Sequence, residues 1–151
     1  MAVDLRTPYL GLTLGNPVVV SACPLTSEPD VALRLQELGA AALSLPSLFE
    51  EQLEQAEPST VAPSFRMDAG KQDLSYYRAL QHYNRGPQAY LRYLAESKQR
   101  LKIPVFASLN GTTAGAWVRY AAQIEDAGAD ALELNMYYVA ADAHITGQQV
   151  E

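Results

Sequence analysis

Small hydroxyls and carboxamides recur just after apolar runs in this sequence, at Ser21-Ala22-Cys23, Pro46-Ser47, Ser108-Leu109-Asn110-Gly111 and Asn135-Met136-Tyr137-Tyr138. Together with nearby backbone amides, such groups can hydrogen-bond the edge of a planar polar ring. None of the four stretches offers a paired carboxylate or a histidine-based triad, so hydrolytic chemistry is disfavoured. Cys23 is the single cysteine, and the only histidines are His82 and His144, so neither a disulfide nor a dedicated transition-metal site is expected. Each candidate also has a plainer use. Ser21, Ser47 and Ser108 can satisfy backbone groups in turns, Asn135 can cap a loop, and a lone cysteine commonly packs as a small hydrophobe.

The elements that would carry these residues alternate between strand and helix. Pro17 to Ala22 is a short Val-rich run, expected to be a strand covered on both faces. Before it, Leu10, Leu12 and Leu14 alternate and Gly15-Asn16 follows, which predicts a small hairpin over about residues 5–15, placed to cover one end of a barrel. Ser27 and Asp30 give a capping signal, Pro29 suits a first helical turn, and Val31, Leu35 and Leu38 follow at helical spacing until Gly39. Ala40 to Leu45 reads as a second strand ending at Pro46, which cannot donate a ladder hydrogen bond. Residues 55–85 lack periodicity and contain Pro58, Pro63 and Gly70, the composition of a long functional loop.

Gly86-Pro87 then opens a helix with Tyr90, Leu91, Leu94 and Leu101 on its apolar face, leading to a strand from Ile103 to Leu109. Thr112 or Thr113 caps the next helix, where Trp117, Tyr120, Ala121 and Ile124 share a face. Gly128 ends it, and Ala129 to Leu134 reads as a fourth strand. Leu38-Gly39-Ala40-Ala41-Ala42-Leu43 and Ala127-Gly128-Ala129-Asp130-Ala131-Leu132 echo each other as the joint of a βα repeat. Alternating β and α elements favour a parallel sheet. Thr146-Gly147-Gln148-Gln149 offers a capping box for one more helix.

Composition narrows the partners. Eleven basic against 17 acidic residues give a net charge of -6, which provides no field for phosphate backbones. The tyrosines between Tyr76 and Tyr93 lack the dense basic residues that single-strand binding also uses, so packing explains them better. His82 and His144, and likewise Glu50 and Glu51, are expected at the surface. Met1 to Leu12 lacks the apolar stretch of a secretory signal, and no run approaches the roughly 20 apolar residues of a membrane span. A soluble, cytoplasmic protein is expected.

Several stretches carry a family resemblance. Asn16-Pro17 leading into a Ser-Ala strand end, Ser108-Leu109-Asn110-Gly111 and Glu133-Leu134-Asn135 resemble the corresponding stretches of the dihydroorotate dehydrogenase family. Leu45-Pro46-Ser47-Leu48-Phe49-Glu50-Glu51, Arg85-Gly86-Pro87 and Leu134-Asn135-Met136-Tyr137 are similar to a dihydroorotate dehydrogenase-like branch of its class 1 members. The order and spacing extend over almost the whole chain. The resemblance implies an α/β fold of the (β/α)8 TIM-barrel type that binds flavin mononucleotide (FMN) and oxidises dihydroorotate to orotate in pyrimidine synthesis. It also implies that Ser21, Ala22 and Ser47 lie beside the flavin, that Ser108 contacts its ring, and that Asn135 sits between flavin and substrate.

Two positions depart from that pattern. Pro46 stands where the family has a lysine that supports flavin and substrate. The family's catalytic base, a cysteine or serine, falls near Tyr138, and a tyrosine with an ordinary pKa of about 10 is a poor base at neutral pH.

A complete barrel needs about 250 residues, so residues 1–151 are expected to form its N-terminal half, with about four βα units. Phosphate sites in such barrels follow strands 7 and 8, so weak flavin binding or none, and no activity, are expected of these residues alone. The competing expectation is a non-catalytic half-barrel. Its unpaired sheet edges would drive pairing with a second copy or with a separate C-terminal half.

Overall fold

The computed structural model describes residues 3–49, 86–110, 116–135, 144 and 146–150; the side chains of residues 116, 117, 149 and 150 are outside that description. The predicted long loop at 55–85, the caps Thr112 and Thr113, residues Glu50, Glu51 and His82, and Tyr138 all lie outside the described residues.

Alternation sorts the strand residues onto two unlike faces. Four strands, β3 (Val19–Val20), β4 (Ala42–Phe49), β5 (Val105–Asn110) and β6 (Ala131–Asn135), form a parallel sheet in the order β3-β4-β5-β6. On one face Leu43, Leu45 and Leu48 of β4 join Val105, Ala107 and Leu109 of β5 in a buried cluster. Leu132 and Leu134 of β6 pack against it. Fully burying each such leucine contributes roughly 1.5–3 kcal/mol.

The same cluster takes in residues from three helices. These are α1 (Pro29–Glu37) with Ala32, α2 (Pro87–Arg100) with Tyr90, Tyr93 and Leu94, and α3 (Ala116–Asp126) with Tyr120 and Ile124. In α2 the buried residues Tyr90, Tyr93, Leu94 and Ser97 follow the 3.6-residue repeat, so one stripe meets the sheet. All three helices therefore cover one face of a sheet whose strands lie in chain order.

The opposite face is closed at its amino end. Strands β1 (Thr7–Tyr9) and β2 (Leu12–Leu14) pair antiparallel, and Leu14 is buried with Ala41, Ala42 and Phe106 in a second, smaller cluster. The Tyr9 ring lies 6.0 Å from that of Phe106. Leu10 does not continue the alternation. It sits in the turn with φ of 51°, followed by Gly11 at 78°, and its side chain is exposed. Two central residues with positive φ match the twist that a two-residue hairpin demands.

The echoed βα joints are the same helix stop made twice. Gly39 (φ 100°) and Gly128 (φ 92°) occupy the left-handed position after α1 and α3. The following amides, Ala40 N and Ala129 N, reach back to the carbonyls of Leu35 and Ile124. The glycine amides bond Gln36 and Glu125, completing the six-to-one and five-to-two pattern of a Schellman motif. The carbonyl of Gly39 is taken by the Asn16 side chain, whose oxygen accepts from Val18 N. After the second stop, Asp130 accepts from Val105 N and pairs with Lys98, joining α2 to the amino ends of β5 and β6.

Several boundaries differ from expectation, each for a local reason. The first strand is two residues long and lies at the sheet edge, so Val18 and Val19 are exposed rather than covered on both faces. Helix α1 starts with Glu28 as its N-cap residue, without a side-chain cap, because the Ser27 hydroxyl donates instead to the Pro24 carbonyl in a preceding 3-10 turn. Beyond the expected apolar face of α2, Tyr93 is also buried, and its hydroxyl donates to the Thr26 carbonyl of that turn. The final short helix, α4 (Gly147–Val150), begins directly after Thr146, and His144 is exposed. The largest departure is in β4, which does not stop at Pro46 but continues to Phe49.

Candidate functional site

A register shift in β4 builds the polar centre of the molecule. Ser44 pairs with Phe106 and Ser47 with Ser108, so three steps along β4 match two along β5. The extra residue is a β-bulge, and Pro46, with no N–H to lose, is tolerated inside it. Without a bulge, Ser47 would share the helix-covered face with Leu45, because side chains two apart point the same way. With it, Ser47 turns to the other face, and its Oγ lies 2.8 Å from Ser108 Oγ.

Beside the bulge, Tyr90 of α2 braces the backbone of Ser108. Ser108 N–H donates to the Tyr90 hydroxyl at 2.9 Å, and that hydroxyl donates to the Ser108 carbonyl at 3.3 Å. One side chain from α2 thus bonds both backbone groups of a fully buried strand residue.

Around Ser108 the hydroxyls and amides converge on Glu133 of β6. Ser44 Oγ donates to Glu133 Oε2 at 3.0 Å, and Ser108 Oγ approaches Oε1 at 3.5 Å. Asn135 Nδ2 donates to Ser108 Oγ at 3.2 Å and lies 3.5 Å from Glu133 Oε1. Asn110 pairs in register with Asn135 at the carboxyl ends of β5 and β6, and its Oδ1 is buried without a hydrogen-bond partner. This face carries apolar residues at its amino end, serines and Glu133 in the middle, and two asparagines at its carboxyl end.

The sequence-predicted site residues divide accordingly. Ser47, Ser108 and Asn135 meet in one hydrogen-bonded group. Ser21 and Ala22 follow β3, and their side chains take no part in that group; Ser21 is exposed and Ala22 half-buried. Pro46 is buried in the bulge, so no cation stands at its position. Cys23 is a free thiol, half-buried, whose backbone N–H bonds the Thr26 hydroxyl.

Sequence reading missed Ser44 and Glu133 as members of the site. Their signal was present in the period-two alternation, which places Ser44 opposite Leu43 and Leu45, and Glu133 opposite Leu132 and Leu134. A groove of about 390 Å³ between α3 and β6, lined by Ala121, Ala122, Ala129 and Ala131 among others, lies away from this chemistry. Among the described residues no cluster of acidic, histidine or cysteine side chains could hold a metal ion. No described helix is long and apolar enough to cross a membrane.

Comparison with known proteins agrees in direction with the motifs. No protein-family model matches the chain. A protein of Aeropyrum pernix named "Putative dihydroorotate dehydrogenase A (fumarate)" is 31% identical over 133 residues, or 88% of this chain. The chain spans only 41% of that relative's length.

The Tyr90 contact yields a direct test. Tyr90→Phe removes both hydroxyl contacts to the buried Ser108 backbone, and should lower stability by about 1–3 kcal/mol in urea denaturation followed by circular dichroism. A midpoint unchanged from wild type would show that Tyr90 does not brace the strand.

Proposed function

We propose that these residues form the first four βα units of an FMN-dependent (β/α)8 barrel oxidoreductase of the dihydroorotate dehydrogenase type. The observation that carries this reading is the segregation of the sheet among the described residues: α1, α2 and α3 packed on one face, and Ser47, Ser108 and Asn135 hydrogen-bonded on the other. A doubly wound sheet would have helices on both faces. A sheet with strands in chain order and helices on one side is the arc from which a barrel is built, with the uncovered face as its interior. The hairpin then plugs the amino end, and ligands bind at the carboxyl end. The similarity to the Aeropyrum protein, whose name specifies dihydroorotate dehydrogenase, supports the same assignment.

The donor set fits a flavin ring. Ser47, Ser108, Asn110 and Asn135 offer neutral hydrogen-bonding groups suited to the polar edge of a planar heterocycle, and the orphaned Asn110 Oδ1 is an acceptor in need of an N–H. FMN held there would supply two-electron acceptor chemistry for the oxidation of a dihydroorotate-like CH–CH bond. The residues of this chain orient the ring and substrate: Ser47 and Ser108 beside the flavin, Asn135 between flavin and substrate, and Ser21 and Ala22 at the rim after β3. Tyr138, which follows β6 in the sequence, stands at the family's base position and would take the substrate proton only with its pKa lowered from the ordinary value of about 10. With Pro46 in place of the family lysine, orientation relies on neutral hydrogen bonds.

Binding of ring and phosphate can be separated. Barrel phosphate sites follow strands 7 and 8, so FMN and riboflavin should bind the 151-residue chain with affinities within about threefold, both weakly. Asn135→Ala should weaken both by about tenfold, the value of one neutral hydrogen bond. Fluorescence titration reads this directly. Undetectable binding of either flavin at millimolar concentration, or equal binding by the variant, would contradict the reading.

A second reading, a non-catalytic half-barrel that pairs with a copy of itself or with a separate C-terminal half, is favoured by the exposed Val18 and Val19 along the edge strand β3. Light scattering distinguishes it. A concentration-dependent dimer that persists without flavin supports this pairing, and a monomer at all concentrations removes it.

A further inference from the structure

We propose that Glu133 is a positioning residue that sets the polarity of the strand-end site, holding Asn135 with its amide nitrogen inward and its carbonyl oxygen toward the ligand. The proposal rests on the functional reading above for the nature of the ligand, but its structural part stands on the hydrogen bonds alone.

An ionised carboxylate accepts and does not donate. Four donors can be assigned around Glu133 in one self-consistent way. Ser44 gives its proton to Oε2 at 3.0 Å. Ser108 has a single proton and three neighbours: Glu133 Oε1, Ser47 Oγ and Asn135 Nδ2. If Ser108 donates to Glu133, its lone pairs receive both Ser47 and Asn135, and no proton is left without an acceptor. The Asn135 group beside Ser108 and Glu133 must then be the NH2, because a carbonyl oxygen there would face Oε1 with no proton between them.

Every donor in the network therefore points back toward Glu133. What remains for a ligand is a set of acceptors: Asn135 Oδ1, the free lone pair of Ser47 Oγ, and the buried, unpartnered Asn110 Oδ1. Such a site selects a ring edge that donates N–H, as in a cyclic imide, and rejects one that presents only carbonyls or alkyl groups. Both the flavin ring and a dihydropyrimidinedione carry that edge. Glu133 is itself exposed in the present arrangement, so its part in the site is orientation of its neighbours rather than a buried charge.

The test uses the whole chain labelled with 15N, with lumiflavin, 3-methyl-lumiflavin, dihydroorotate and its imide-N-methyl derivative as probes. In wild type, the Asn135 Nδ2 protons should show cross-peaks to the Ser108 β protons and exchange with solvent at least fivefold more slowly than in Glu133→Gln. Lumiflavin should bind at least tenfold more tightly than 3-methyl-lumiflavin if the flavin fills the site, and dihydroorotate more tightly than its methyl derivative if the substrate does. Glu133→Gln, which can offer its own NH2 to Asn135 and release the amide to turn, should shrink that ratio to below about threefold, and Glu133→Asp should keep part of it.

Missing Asn135–Ser108 cross-peaks in wild type, or equal amide exchange in wild type and Glu133→Gln with matching backbone spectra, would overturn the proposal. An unchanged methyl discrimination in Glu133→Gln would do the same. If wild type binds none of the probes, the functional reading fails, and amide exchange and cross-peaks still decide the role of Glu133.

Discussion

One extra residue in β4 determines on which face of the sheet Ser47 lies. Parallel strands buried by helices on one side have strict alternation, and an uninterrupted β4 would send Ser47 to the leucine face. The shift between Ser44 and Ser47 breaks that alternation once, at Pro46, where the ladder has no N–H to forfeit. Ser47 thereby reaches Ser108, whose backbone N–H and carbonyl both bond the Tyr90 hydroxyl. The core, the helix and the polar face are coupled through this single irregularity. A hydroxyl from the apolar stripe of α2 completes the strand whose other side carries the site.

Much of this architecture was legible in the residues. The helix-stop glycines at 39 and 128, the proline that opens α2, and the apolar spacing of Tyr90 and Leu94 locate the βα joints, because each reflects a local rule of backbone or periodicity. The serine and asparagine strand ends were visible for the same reason. What could not be read locally was the bulge. Pro46 looked like the end of a strand, since a proline removes a ladder bond; only the pairing with β5 reveals that the chain absorbs it and continues to Phe49. Glu133 and Ser44 were overlooked because each lies alone among apolar residues in sequence, and they meet only across 89 positions of chain.

The Val-rich run around Val19 shows the converse limit. Its composition suits a strand covered on both faces, but β3 stands at the sheet edge, and coverage depends on neighbours that no local pattern specifies. The singly wound order of the strands is more informative than their composition. It leaves one face packed by α1, α2 and α3 and the other carrying the serines and Glu133, with a hairpin at the amino end and amides at the carboxyl end.

The central claim is that the β4 bulge delivers Ser47 to the face of Ser108 and Asn135. Nuclear Overhauser spectroscopy of the isotopically labelled chain measures this directly. A strong cross-peak between the β protons of Ser47 and Ser108, with none from Ser47 to the Leu94 methyls, is the predicted result. Contact of Ser47 with Leu94 and not with Ser108 would place the serine on the helix-covered face and contradict the account.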